Sequence, residues 1–170
     1  MALTHPSPNH RKGRSGQRPF AIVVHIMEGS LKGTDSWFMS SYSGVSAHYG
    51  VGRNGTIHSY VDEKNTAFHA GIVNKPSWKN IPADIVNPNA VTIGIEHEGT
   101  SKSDWTKSMK EASASLIADI CKRWNITPSR DTVIGHYEID KIRRPNCPAV
   151  NKNIIDELVA MARIKMYGVS

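Results

Sequence analysis

The run Phe20-Ala21-Ile22-Val23-Val24-His25-Ile26 constrains this chain most. A continuous apolar, β-branched run is the pattern of a strand covered on both faces, so it requires packed layers above and below. A chain of 170 residues with 39% hydrophobic content can build those layers as one domain without disulfide staples. His25, near the end of the run, is its one polar residue.

The chain downstream supplies the layers. After Gly29, the segment Thr34 to Ser41 reads as a short helix. Val45 to Gly52 and Ile57 to Val61 flank Arg53-Asn54-Gly55-Thr56, and an Asn-Gly pair between strand-like runs signals a hairpin. Ala67 to Gly71 reads as a short extended piece. Ile72 to Pro88, interrupted by Pro76 and Pro82, is a long connection in which Trp78 and Lys79 are expected to line a groove. In Val91 to Glu98 the alternation puts Val91, Ile93 and Ile95 on one face and Thr92, Gly94, Glu96 and Glu98 on the other. Thr106 is placed to cap a helix whose stripe runs through Met109, Ala112, Leu116, Ile117, Ile120, Cys121 and Trp124. Thr132 to Gly135 is a short strand ending at His136, and Asn151 to Met161 a closing helix. This order predicts an α/β fold, a mixed central β-sheet flanked by helices, with ligands gathering beyond the strand ends. Residues 1–19, rich in Pro, Gly and basic residues, read as an irregular lead-in, and residues 20–165 as the domain.

The formal charge of +6 favours encounter with a polyanion. No arginine-rich run with stacking aromatics and no recognition-helix pattern accompanies it, so nucleic acid is not the expected partner. No segment has the length and apolarity to span a bilayer, and the N-terminus has no signal-peptide core, so a product made in the cytoplasm without membrane insertion is expected. Of the two cysteines, Cys121 falls on the apolar helix stripe and reads as core. Cys147 is left as an unpaired loop thiol, a ligand or nucleophile more readily than a staple.

Cys147 shares the loop Gly135 to Pro148 with His136, and imidazole with thiolate is a donor set that zinc accepts. A catalytic zinc keeps three protein ligands and one open position, and His25 is the candidate third. Taken singly, each residue has a plainer reading: His25 as a hydrogen-bonded core histidine, His136 as a loop residue, Cys147 as a buried thiol.

Five segments in matching order carry a resemblance. They are Val23-Val24-His25; Ser46-Ala47-His48-Tyr49 before Arg53-Asn54-Gly55-Thr56; Phe68-His69-Ala70-Gly71; Ile93-Gly94-Ile95-Glu96-His97-Glu98-Gly99; and Gly135-His136 before Asn146-Cys147-Pro148. Together, over about residues 20 to 160, they resemble the type 2 N-acetylmuramoyl-L-alanine amidases. That family includes phage endolysins, bacterial autolysins, cytosolic muropeptide amidases and peptidoglycan recognition proteins.

The resemblance implies a zinc hydrolase that cuts the amide between N-acetylmuramic acid and L-alanine in bacterial peptidoglycan, with zinc on His25, His136 and Cys147. It implies Glu96 as general base, with Glu98 as substitute, and His69 as a residue of the substrate groove, Phe68 standing where relatives have tryptophan. Two departures matter. Pro145 stands where many relatives place a lysine, leaving Arg144 or Lys141 to face the oxyanion, and Ala47 stands where phage amidases often carry tyrosine. His48 and His58 read as strand residues, one of them a possible support for the site. A monomeric endolysin domain acting on the wall after release is the leading expectation. A recycling amidase and a noncatalytic peptidoglycan-binding domain are its rivals.

Overall fold

The computed structural model describes residues 3–81 and 87–168. In chain order the elements are β1 (His10–Arg11), β2 (Ala21–Ile26), α1 (Leu31–Met39), β3 (Tyr49–Val51), β4 (Ile57–Ser59), β5 (Thr66–Ala67), β6 (Thr92–His97), α2 (Lys107–Trp124), β7 (Val133–Gly135) and α3 (Asn153–Tyr167). Five strands form one sheet in the order β4-β3-β6-β2-β7. β2 runs parallel to both β6 and β7, β3 runs parallel to β6, and only β4 is antiparallel to its neighbour. The fold is the expected mixed α/β sheet with packed helices.

The two faces of the sheet differ in what covers them. Ile22, Val24, Ile93 and Ile95 point to the face where Met109, Ile117, Ile120 and Cys121 of α2 and Ile155 and Leu158 of α3 complete the main core. Ala21 and Val23 point the other way, into a smaller cluster with Ala70, Trp78, Ile134 and Ile139. The expectation that Trp78 lines a groove is therefore corrected. Trp78 is buried, packs its ring beside Phe20 and donates its indole N–H to Asp131 O. Proline-broken backbone suggested an open loop, but the indole's apolar area is better buried under the sheet. Pro82, within that connection, lies outside the described residues.

Local signals place the helices. Thr106 Oγ1 accepts from Met109 N at 3.2 Å, closing the first turn of α2, and Asn125 in the left-handed region ends it. α1 starts at Leu31, earlier than expected, because Ser30 caps Gly33 N and Glu98 Oε1 accepts from Leu31 N at 3.1 Å. The hairpin closes through Gly52 N on Thr56 O, with Gly55 at a φ of +88°. α3 runs on to Tyr167, past the expected end.

The lead-in is not free of regular structure. β1 pairs antiparallel with β5, and the buried Arg14 donates to Glu63 O, Asn89 O, Ala90 O and Thr92 O at 2.6–3.2 Å. Its guanidinium fixes the turn that leads into β6. Among the described residues, no helix is long and apolar enough to cross a membrane.

Candidate active site

Parallel register delivers the key side chains to one edge. β2 and β6 pair His25 with Glu96, and β2 and β7 pair Val24 with Gly135, so the residue after β7, His136, arrives beside His25. The loop after His136 returns through Tyr137 N on Cys147 O at 3.0 Å, which brings Cys147 back to the same edge. One donor atom from each of His25, His136 and Cys147 lies within 4.8 Å of the others. The structure thus assembles all three sequence-predicted metal ligands.

Hydrogen bonding fixes the tautomers. Thr92 Oγ1 donates its only proton to Pro88 O at 2.8 Å, so at its 3.3 Å contact with His69 Nε2 it must accept. His69 Nδ1 is then bare and accepts from His25 Nε2–H at 3.0 Å, leaving His25 Nδ1 bare. His136 Nε2–H donates to Ala70 O at 3.0 Å, which leaves His136 Nδ1 bare as well. Burial drives His25 well below the usual imidazole range and His136 down to about 4, so both rings are neutral. The two lone pairs face each other at 3.0 Å. Two acceptors at that distance repel unless a cation lies between them. With the Cys147 sulfur alongside, the donor set fits a zinc-type ion.

Supports for these rings come from two residues the sequence reading did not single out, Asn89 and Gly94, and from two it did, His69 and His48. Asn89 Oδ1 accepts from His69 N at 3.1 Å and from Ala70 N at 2.7 Å, fixing both the ring that holds His25 and the carbonyl that holds His136. Glycine at 94 makes room, because a Cβ there would lie 2.4 Å from the His69 ring. His69 lines the cleft, as expected, but it is buried with both ring nitrogens engaged inside the protein, so it also serves as a support for His25. His48 Nδ1 accepts from Gly94 N at 3.0 Å and holds the same strand. Nothing local in the sequence marks Asn89 and Gly94, since their role depends on which groups meet under the site across scattered spacing.

Glu96 lies in the same cleft, and its Oε2 is buried without a hydrogen-bond partner. Burial pushes its carboxyl up to about 8, against the opposing pull of Arg144. Burial, with Glu96 nearby, also raises the Cys147 thiol to about 12. Glu98 is excluded as a substitute base. Its Oε1 holds Leu31 N and its Oε2 holds Arg53 N at 2.8 Å, so it ties α1 to the hairpin. Arg143 and Arg144 line the cleft of about 690 Å³; Lys141 does not. Asp140 Oδ1 shapes this corner by accepting from Ile142 N and Arg143 N. Ala47 is fully buried in a cluster with Phe38, Tyr60, Val61 and Ala67 and does not line the cleft.

A buried, unpartnered carboxylate next to a cation-competent donor set can take a proton from water attacking a carbonyl, and this puts the chain among the hydrolases. Comparison with known proteins narrows the class. The family described as N-acetylmuramoyl-L-alanine amidase matches residues 15–150. N-acetylmuramoyl-L-alanine amidase A of Achromobacter lyticus is 34% identical over 152 residues, covering 84% of this chain and 76% of that protein. A solved structure of AmpD superposes with a TM-score of 0.71 at 24% identity, over 93% of this chain and 99% of that one. The endolysin LysCS from Clostridium intestinale URNW gives 0.65 at 19% identity, over 100% and 94%. The chain belongs to the N-acetylmuramoyl-L-alanine amidase family and is an enzyme that hydrolyses an amide bond.

Proposed function

We propose that this chain is a zinc-dependent peptidoglycan hydrolase that cleaves the amide between N-acetylmuramic acid and L-alanine, acting on the polymeric wall in the manner of an endolysin. The single observation that carries the zinc assignment is the pair of bare Nδ1 atoms of His25 and His136, 3.0 Å apart beside Cys147. Zinc in that position supplies Lewis-acid polarisation of the scissile carbonyl and activation of water.

The chain's own groups do the rest. His25 and His136 present neutral nitrogen because His69 and Ala70 O each take up the opposite ring N–H. Glu96 Oε2 takes the proton from the attacking water and delivers it to the departing alanine nitrogen. Its elevated proton affinity suits both halves of that transfer near neutral pH. Arg144, at the exposed lip of the cleft, supplies positive charge toward the carbonyl oxygen in place of the lysine that Pro145 replaces. The open cleft, rimmed by the half-exposed Trp37 and Val45, and the surplus of positive charge both suit an extended anionic wall polymer.

The test is product analysis on purified sacculi and on soluble anhydro-muropeptides. New L-alanine N-termini released from sacculi, lost on chelation and restored by zinc, support the reading. Release of reducing sugars would remove the amidase assignment. A strong preference for the soluble muropeptides would move the protein to the recycling class.

A further inference from the structure

We propose a second divalent-cation site, formed by His5, Asp35 and His58, that clips the N-terminal segment to α1 and β4. One donor atom from each of these three residues lies within 4.8 Å of the others. The His5 and His58 rings stack at 4.0 Å between centroids with 25° between planes, so both imidazoles lie beside Asp35, and ligation would swing the rings apart to bring both in-plane lone pairs onto one ion. His58 Nδ1–H donates to Asp35 Oδ1 at 2.9 Å, a proton that a bound cation would displace, and His5 Nε2 lies 3.9 Å from Asp35 Oδ2, beyond hydrogen-bond reach. Nothing in the catalytic reading uses any of the three.

The surroundings hold these donors in place. Thr4 N donates to Ser59 Oγ and His5 N to Ser59 O, each at 3.0 Å, and Ser7 N donates to Tyr60 O at 2.9 Å, which lays the segment along β4 and its extension. His5 Nδ1 is engaged by Thr4 Oγ1 at 3.1 Å, leaving Nε2 as the atom that faces Asp35. Tyr60 donates its hydroxyl to Asp35 Oδ1 at 2.7 Å and orients the carboxylate, as the outer partners of metal-bound carboxylates do. The carboxylate is only 13% exposed, and among the described residues no lysine or arginine pairs with it. Two imidazole nitrogens and one carboxylate oxygen form a set suited to zinc and its nitrogen-preferring neighbours rather than to calcium or magnesium.

A cation here would cross-link three pieces of chain far apart in sequence, and it would bind the folded state only, so it would stabilise that state by mass action. One of the three pieces, α1, also forms a wall of the catalytic cleft through Gly33, Thr34 and Trp37.

The test is zinc stoichiometry by equilibrium dialysis with metal analysis, on wild type and on His5→Ala and His58→Ala, each checked for retained amidase activity as evidence of folding. The expected result is one equivalent fewer in each variant than in wild type. An unchanged stoichiometry in His5→Ala overturns the proposal. Should His58→Ala fail to fold, His5→Ala decides alone, since that side chain sits on the edge segment outside the core. The reading is a difference between proteins, so it holds whatever the catalytic site binds.

Discussion

The two faces of the central sheet solve opposite problems. Beneath the helices, the buried polar groups near the sheet have matched partners. His97 Nδ1 meets His25 O at 2.9 Å and its Nε2 meets Ser113 Oγ at 2.8 Å, while Glu63 takes hydrogen bonds from Tyr49, Arg123 and Trp124. The exception there is Trp105 Nε1, which lacks a partner while its ring lies 4.3 Å from that of His97. On the cleft face the mismatches gather at one point: two bare nitrogens facing each other and a carboxylate oxygen with no donor. Matched polar groups stabilise a fold, whereas unmatched ones that are held rigidly are poised for a ligand.

The largest test of this contrast is to break the donor set. Cys147→Ala or His25→Ala is expected to lose the catalytic equivalent of zinc and at least ~1,000-fold in kcat/KM, read by metal analysis and by L-alanine N-terminus release. Near-normal turnover in either variant would end the metal reading. Glu96→Gln should keep its zinc and lose ~100- to 10,000-fold in kcat, the range for a general base. Because it removes a buried carboxyl that resists ionisation, it should not weaken the fold.

Gly94→Ala sharpens the comparison, since it changes no catalytic side chain and the added Cβ meets the His69 ring first. Zinc affinity should fall by about 10- to 100-fold, measured by competition with a chelator, as for loss of an outer partner. An unchanged affinity would remove His69 as the support of His25.

The smallest effect on catalysis belongs to the helix face. Glu63→Gln should leave activity per folded molecule intact and cost about 1–3 kcal/mol of stability in denaturant unfolding. Burial alone would raise the Glu63 carboxyl, but hydrogen bonds from Arg123, Tyr49 and Trp124 outweigh it and hold it below the usual range. A carboxylate depressed in the folded state contributes stability above its unfolded pKa, and that contribution disappears as pH falls through the folded value. The gap between wild type and Glu63→Gln should therefore be full at neutral pH and shrink in acid below the ordinary carboxylate range. A constant gap would mean that the loss is one of shape and not of charge.

Much of this was readable in the chain. Period-two alternation put Glu96 on the polar face of its strand, the Asn-Gly pair marked the hairpin, and Thr106 marked the start of α2. Local geometry depends on near neighbours, so sequence carries it directly. His25, His136 and Cys147 could be named from residue chemistry and from the resemblance. The Arg14 clip, the Asn89 bridge and the bond from His25 to His69 could not, because each depends on which backbone carbonyls and ring nitrogens meet across dozens of residues.

The sequence by itself determined the alternation of layers, the residue types able to hold a metal and the family to which the chain belongs. Only the tertiary structure decided that Glu98 is held by two backbone amides while Glu96 is left without a partner, although the two share a strand face two residues apart. The physical reason is register. Parallel pairing sets Glu96 beside His25 at the edge of the cleft, and the next outward-facing position falls under the start of α1, where amide donors claim its carboxylate.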